Sequence, residues 1–234
     1  MYLYGYGFDW TYLLVIIGVI LSGAASAAVN STFKKYAKVN STTGMTGAEA
    51  ARQILYSEGI TDVAIEHVPG NLTDHYNPST KTVNLSDATY GSSSVAAVGV
   101  AAHECGHVLQ HHTGYVPLNI RSALVPVANI GSKAGIPIII AGMIFGANST
   151  LINLGILLFS FGVLFQIVTL PVEFNASRRA LKLLGNLGIL NPDEVRDSGK
   201  VLKAAAMTYV ASAFASILSL LRLLLIFGGN RRRD

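Results

Sequence analysis

The chain has 234 residues, of which 51% are hydrophobic and only 13% charged, with a formal net charge of +4. That balance points away from a soluble enzyme and toward a membrane protein of one or two domains. Lys and Arg cluster beside the apolar stretches, which suits an anionic leaflet, and no basic groove with interleaved aromatics offers a place for nucleic acid. The single cysteine, Cys105, rules out an intrachain disulfide.

In chain order, residues 11–29 carry no charge and are long enough to span a bilayer, which takes about 20 residues. Trp10 and Tyr12 stand where an interfacial aromatic belt would lie. Gly18 with Ser22, and Gly23 with Ala27, set small residues at four-residue spacing, as in close helix packing. Ala25-Ser26-Ala27 also resembles a signal-peptidase site. However, the preceding segment has no Lys or Arg and carries Asp9, so a retained span is expected.

Beyond residue 29 the chain turns polar. Thr46 and Glu49 form a capping box before Ala50, Ile54 and Leu55, and Gly59 ends that helix. Val63-Ala64-Ile65 reads as a strand. Asp74-His75-Tyr76 and Thr82-Val83-Asn84-Leu85 read as a hairpin around Asn77-Pro78-Ser79-Thr80. Residues 82–86 are a candidate edge onto which an extended peptide adds, favouring unfolded substrates. Ser92 to Ser94 cap a helix that runs until Gly114.

That helix carries His103-Glu104-Cys105-Gly106-His107, an H-E-x-x-H run. At four-residue spacing both imidazoles lie on one helical face and reach a single zinc ion, with Glu104 placed to serve as general base. Cys105 faces away and packs. A small sheet followed by such a helix is the layout of zincin peptidases. A catalytic zinc usually takes three protein ligands, leaving one position for water. The metzincin position for a third histidine holds Thr113. His111 continues the spacing, but the helix limits its convergence on the same ion, and with His112 it suits a C-terminal capping role. Glu173 is the better candidate; on spacing alone a ligand and a solvated first-turn carboxylate are equal readings.

Residues 134–170 form a second apolar block, broken at Asn148-Ser149-Thr150, and read as a helical hairpin. Its first arm is long enough only if it begins near Ala123 and tolerates Lys133. Residues 204–228 form a fourth candidate span, with Arg222 placed to snorkel. Lys34, Lys35 and Lys38 follow the first span; Arg178, Arg179 and Lys182 follow the hairpin. Both groups favour a cytoplasmic side. Arg231-Arg232-Arg233 conflicts with that orientation if the fourth segment crosses.

Four stretches together resemble the YugP-type membrane zinc metallopeptidases: Asp74-His75-Tyr76-Asn77-Pro78, Ala101-Ala102-His103-Glu104-Cys105-Gly106-His107, Leu170-Pro171-Val172-Glu173-Phe174-Asn175-Ala176-Ser177 and Thr208-Tyr209-Val210-Ala211. The likeness covers nearly the whole chain. More distantly the chain is similar to prenyl-protein and stress-response membrane proteases that pair H-E-x-x-H with a later glutamate. The resemblance implies one zinc per chain, held by His103, His107 and Glu173. In the distant relatives an aspartate often follows the glutamate by four residues and orients a histidine. Here that position is Ser177, a neutral partner that would raise histidine basicity less.

The expected fold is α+β and mostly helical: an integral membrane protein with a small zincin-like catalytic domain. The expected organisation is a transmembrane helix over 1–29, a catalytic region over 30–122 and a transmembrane hairpin over 123–171. A helical segment with the third ligand follows over 172–203, then an apolar helix and basic tail over 204–234. The expected activity is zinc-dependent endopeptidase action on peptides, unfolded or membrane proteins, at the cytoplasmic surface of the cell membrane. Besides Glu104, the catalytic candidates are His75 and Tyr209, with Tyr76 as a further oxyanion donor; His67 is expected to be structural. Three rivals are weaker. An intramembrane protease would embed the motif in a span. A peptide deformylase would need another cysteine. A zinc-stabilised scaffold without turnover would have no use for Glu104.

Overall fold

The computed structural model describes residues 9–228. The chain is mostly helical, with one three-stranded sheet. Its elements are α1 (Tyr12–Tyr36), α2 (Gly47–Ser57), β1 (Ala64–Val68), β2 (His75–Asn77), β3 (Thr82–Ser86), α3 (Val95–His112), α4 (Val116–Ile144), α5 (Ser149–Asn186) and α6 (Pro192–Phe227). Four of them, α1, α4, α5 and α6, are long and apolar enough to cross a membrane. The described residues fall into two compact units. One gathers 9–24, 121–168 and 209–228; the other gathers 25–120 and 169–208.

The first unit is predominantly apolar. Asp9 accepts hydrogen bonds from the Thr11 amide (3.0 Å) and hydroxyl (2.7 Å), capping the start of α1. The Arg222 guanidinium lies 4.1 Å from the Tyr12 ring centroid and 3.6 Å from Asp9, so this arginine has protein partners. In the α4–α5 hairpin the first arm starts earlier than the apolar run and passes through Lys133, Pro126 and Pro137. Asn148 Oδ1 accepts from the amides of Thr150 (3.0 Å) and Leu151 (3.1 Å), so the break read from the sequence is the N-cap of α5. The arms approach closely at glycine: a Cβ on Gly135 would meet the Phe159 amide at 3.1 Å and the Gly155 carbonyl at 3.2 Å. The Arg231-Arg232-Arg233 tail lies outside the described residues.

The second unit holds the sheet and a conventional core. Thr46 and Glu49 close the capping box of α2, with the Glu49 carboxylate accepting from the Thr46 amide at 2.8 Å. The helix buries Ala50, Ala51, Ile54 and Leu55 on one face. Gly59 follows it at φ +70°, in the left-handed region that lets the chain reverse. Strand β2 pairs antiparallel with β3, with Tyr76 opposite Val83, as the hairpin reading expects. Strand β1 pairs parallel with β3, giving the order β1-β3-β2.

That order corrects one expectation. Residues 82–86 are the central strand, buried at all five positions, and cannot serve as an edge for an added peptide. Both sides of β3 are already paired, and β1 and β2 form the edges. The sequence misleads here because β1 pairs with β3 although β2 intervenes in the chain, a pairing no local pattern encodes.

Ser94 is the N-cap of α3, its hydroxyl accepting from the Ala97 amide at 3.2 Å, and Gly114 (φ +62°) follows the helix end. Helix α3 runs through the core beside Leu184, Ile189 and Leu190. Asn191 caps α6 ahead of Pro192, its Oδ1 accepting from the Asp193 and Glu194 amides at 3.0 Å each. The buried Glu194 carboxylate then accepts from the Thr42 amide (2.6 Å), pinning the loop after α1 to the start of α6.

Candidate metal centre

The H-E-x-x-H residues begin at the middle of α3, and Glu173 lies on α5 beyond its apolar stretch. Both positions belong to the second unit. What brings the two helices together is Gly106, between the two histidines. A Cβ at that position would lie 2.5 Å from the carbonyl oxygen of Ala176, so only glycine leaves room for the α5 backbone. Ala176 is itself fully buried, three residues past Glu173 and thus on the same side of α5.

Through this approach Glu173 Oε2 comes to 3.3 Å from His103 Nε2 and 3.7 Å from His107 Nε2. The two imidazole rings stand nearly perpendicular, at 86°, with centroids 4.7 Å apart. The three ligand atoms lie within 4.8 Å of one another. Among the described residues, this is the group of His, Cys, Asp and Glu side chains able to hold a metal ion. Glu173 is 3% exposed, and its Oε2 has no hydrogen-bond partner. A buried carboxylate oxygen without a partner is costly, and two Nε2 atoms beside it make a cation the natural complement. Two imidazoles and a carboxylate are a usual donor set for catalytic zinc.

Each histidine is held from behind. His103 Nδ1 lies 3.1 Å from Ser177 Oγ, and His107 Nδ1 lies 3.0 Å from Gln110 Oε1. Burial opposes an imidazolium at His107, but the facing Glu173 and nearby Glu104 carboxylates outweigh it and raise its pKa above the ordinary value. Glu104 is buried on the same helix, at 7% exposure.

The remaining candidates are not among the three ligands brought together. Cys105 is fully buried and its thiol donates to the Ala51 carbonyl at 3.7 Å. Burial pushes that thiol's pKa up, leaving it protonated and inert. His75 is exposed on β2, with Nδ1 2.9 Å from the Thr73 carbonyl oxygen. Tyr76 reaches His111 instead, its hydroxyl 3.0 Å from His111 Nδ1. His67 pairs with Asp87 at 2.7 Å. Tyr209 belongs to the apolar unit, on α6. Sequence reasoning passed over Gln110, Asn175 and Gly106. A glycine inside the motif was the one available hint of a close backbone approach.

A family model described as "Putative neutral zinc metallopeptidase" matches residues 11–228. The chain belongs to that family. It is also 46% identical over 218 residues, 93% of this chain and 96% of the relative, to a protein of Bacillus subtilis (strain 168) described as "Putative membrane protease YugP". No solved structure matches. The family and the relative agree with the resemblance carried by the four sequence stretches. The four apolar helices agree with a membrane protein.

Proposed function

We propose that this protein is a membrane-embedded zinc endopeptidase that hydrolyses peptide bonds with Glu104 as general base, at the cytoplasmic surface of the cell membrane. The observation that carries the reading is the buried Glu173 Oε2, without a hydrogen-bond partner and 3.3 and 3.7 Å from two histidine Nε2 atoms. One zinc per chain, held by His103, His107 and Glu173, would activate a water and polarise the scissile carbonyl. Glu104 takes the proton of the attacking water and delivers it to the leaving amine. His103 and His107 present Nε2 toward the ion, and their Nδ1 atoms stay on Ser177 and Gln110. Surface placement is supported by α5, where Glu173 follows the apolar run by three residues, about 4.5 Å of helical rise. The basic residues at the end of α1 and within α5 support the cytoplasmic side.

The test is cleavage of an unfolded fluorescent protein by detergent-purified enzyme. Wild type should cleave, lose activity on chelation and regain it with zinc, while Glu104→Gln stays inactive. Full cleavage by Glu104→Gln would refute the assigned base. Zinc binding without cleavage by wild type would favour a zinc-stabilised scaffold.

A further inference from the structure

We propose that Gln110 is a positioning residue that fixes which ring nitrogen of His107 is free for the metal, an inference that rests on the zinc-peptidase reading and deepens it. Gln110 is fully buried, in the last turn of α3. Its Nε2 donates to the Val172 carbonyl at 2.8 Å and to Asn175 Oδ1 at 3.0 Å. Its Oε1 lies 3.0 Å from His107 Nδ1.

The chemistry of the partners fixes the direction of every bond in this chain. A backbone carbonyl only accepts, so the amide end facing Val172 is the nitrogen. Asn175 Oδ1 is fixed in the same way, because it also accepts from Arg179 Nε at 2.9 Å, a group that only donates. Gln110 therefore presents its oxygen to His107, and that oxygen requires a hydrogen on Nδ1. A neutral imidazole with its hydrogen on Nδ1 carries its lone pair on Nε2, the nitrogen 3.7 Å from Glu173 Oε2. Carbonyl and guanidinium at the ends thus set the tautomer in the middle.

His103 lacks such a device. Its Nδ1 faces the Ser177 hydroxyl at 3.1 Å, which can donate or accept and so specifies neither tautomer. The Gln110 amide has a second effect. Val172 and Asn175 flank Glu173, so one side chain joins the helix bearing His107 to the helix bearing the carboxylate. Arg179 is steadied in turn by the Tyr115 ring, 5.8 Å from its guanidinium carbon.

The experiment uses the full chain in detergent and measures zinc affinity by competition with a chelating dye. The absorption bands of the cobalt-substituted protein and the melting temperature of the metal-free protein are recorded alongside. Gln110→Met keeps the volume and removes the amide; its zinc affinity should fall roughly 10–100-fold and its cobalt bands should shift. Asn175→Leu should change both readouts in the same direction, by less. Asn175→Asp, which still accepts from Gln110 and Arg179, should restore them. Wild-type affinity with unchanged cobalt bands in Gln110→Met would overturn the inference while leaving the peptidase reading intact. So would a loss of affinity that follows the melting temperature alone, without a spectral change. If Gln110→Met does not fold, the Asn175→Leu and Asn175→Asp pair decides by the same criteria. A wild-type protein that binds no zinc would sink both readings.

Discussion

The two units of this chain bury their side chains by different rules. In the unit that holds the sheet, Ile54, Leu85, Leu184 and Ile189 are almost wholly inaccessible, and polar groups such as Gln110 and Glu194 are buried with partners on several sides. In the apolar unit, large hydrophobic side chains stand open, as Val19 and Ile20 do on α1 at 66% and 62% exposure. Water drives the first arrangement, because removing apolar area from it is favourable. In a lipid environment that drive is missing, and helices associate through close contact of small residues. Accordingly the α4–α5 hairpin packs at Gly131, Gly135, Gly142 and Gly155. The second unit uses the same device at Gly106, where it serves to bring a carboxylate to two imidazoles. Backbone proximity therefore holds a membrane hairpin in one unit and builds a candidate metal centre in the other.

The comparison can be broken most forcefully at the centre itself. Glu104→Gln should lower turnover about 10²–10⁴-fold with zinc affinity unchanged, as expected for loss of a general base. Glu173→Ala should instead weaken zinc binding by more than the roughly 10–100-fold of an outer-shell loss, read by chelator competition. The cores come next. Leu184→Ala should cost about 2–5 kcal/mol of stability, because the side chain is fully buried. Ile20→Ala should shift the thermal midpoint in detergent by less than the equivalent of about 0.5 kcal/mol. Equal losses at the two positions would remove the distinction between the units.

Smaller effects sharpen it. Gly106→Ala forces a methyl against the Ala176 carbonyl and should cost about 1–3 kcal/mol while also reducing zinc affinity. Gly135→Ala meets neighbours at 3.1–3.2 Å, which can give way slightly, so it should cost less and leave zinc affinity unaltered. The two variants, compared by melting temperature and metal titration, separate packing from site assembly. The smallest change is Thr46→Ala, which opens the capping box of α2 and should cost about 1 kcal/mol in denaturant unfolding.

Local chemistry explains what could be read from the sequence. The Ser94 cap, the stop at Gly114, the Thr46–Glu49 box and the 75–85 hairpin are each specified by a few adjacent residues, and all are present. The apolar runs located four helices, but their ends were misplaced. Helix α5 continues past its apolar stretch into polar sequence and α6 begins in polar sequence ahead of its own, neither of which hydropathy follows. Strand order escaped for a different reason: β1 pairs with β3 although β2 lies between them in sequence. At the centre, His103 and His107 announced themselves by spacing. Glu173 needed a family resemblance, because a residue 66 positions beyond His107 has no local signature. Gln110 and Asn175 were silent, since an amide's role is recognised only by the partners a fold supplies.

The Val172 carbonyl belongs to the main chain, so no side-chain replacement can delete it. In a saturation mutagenesis map, position 172, whose side chain is fully buried, should therefore accept other apolar residues of similar volume, whereas position 110 should accept almost nothing. An apolar exchange at Val172 should then leave the proton pattern of the site fixed, because the acceptor that orients Gln110 is main chain.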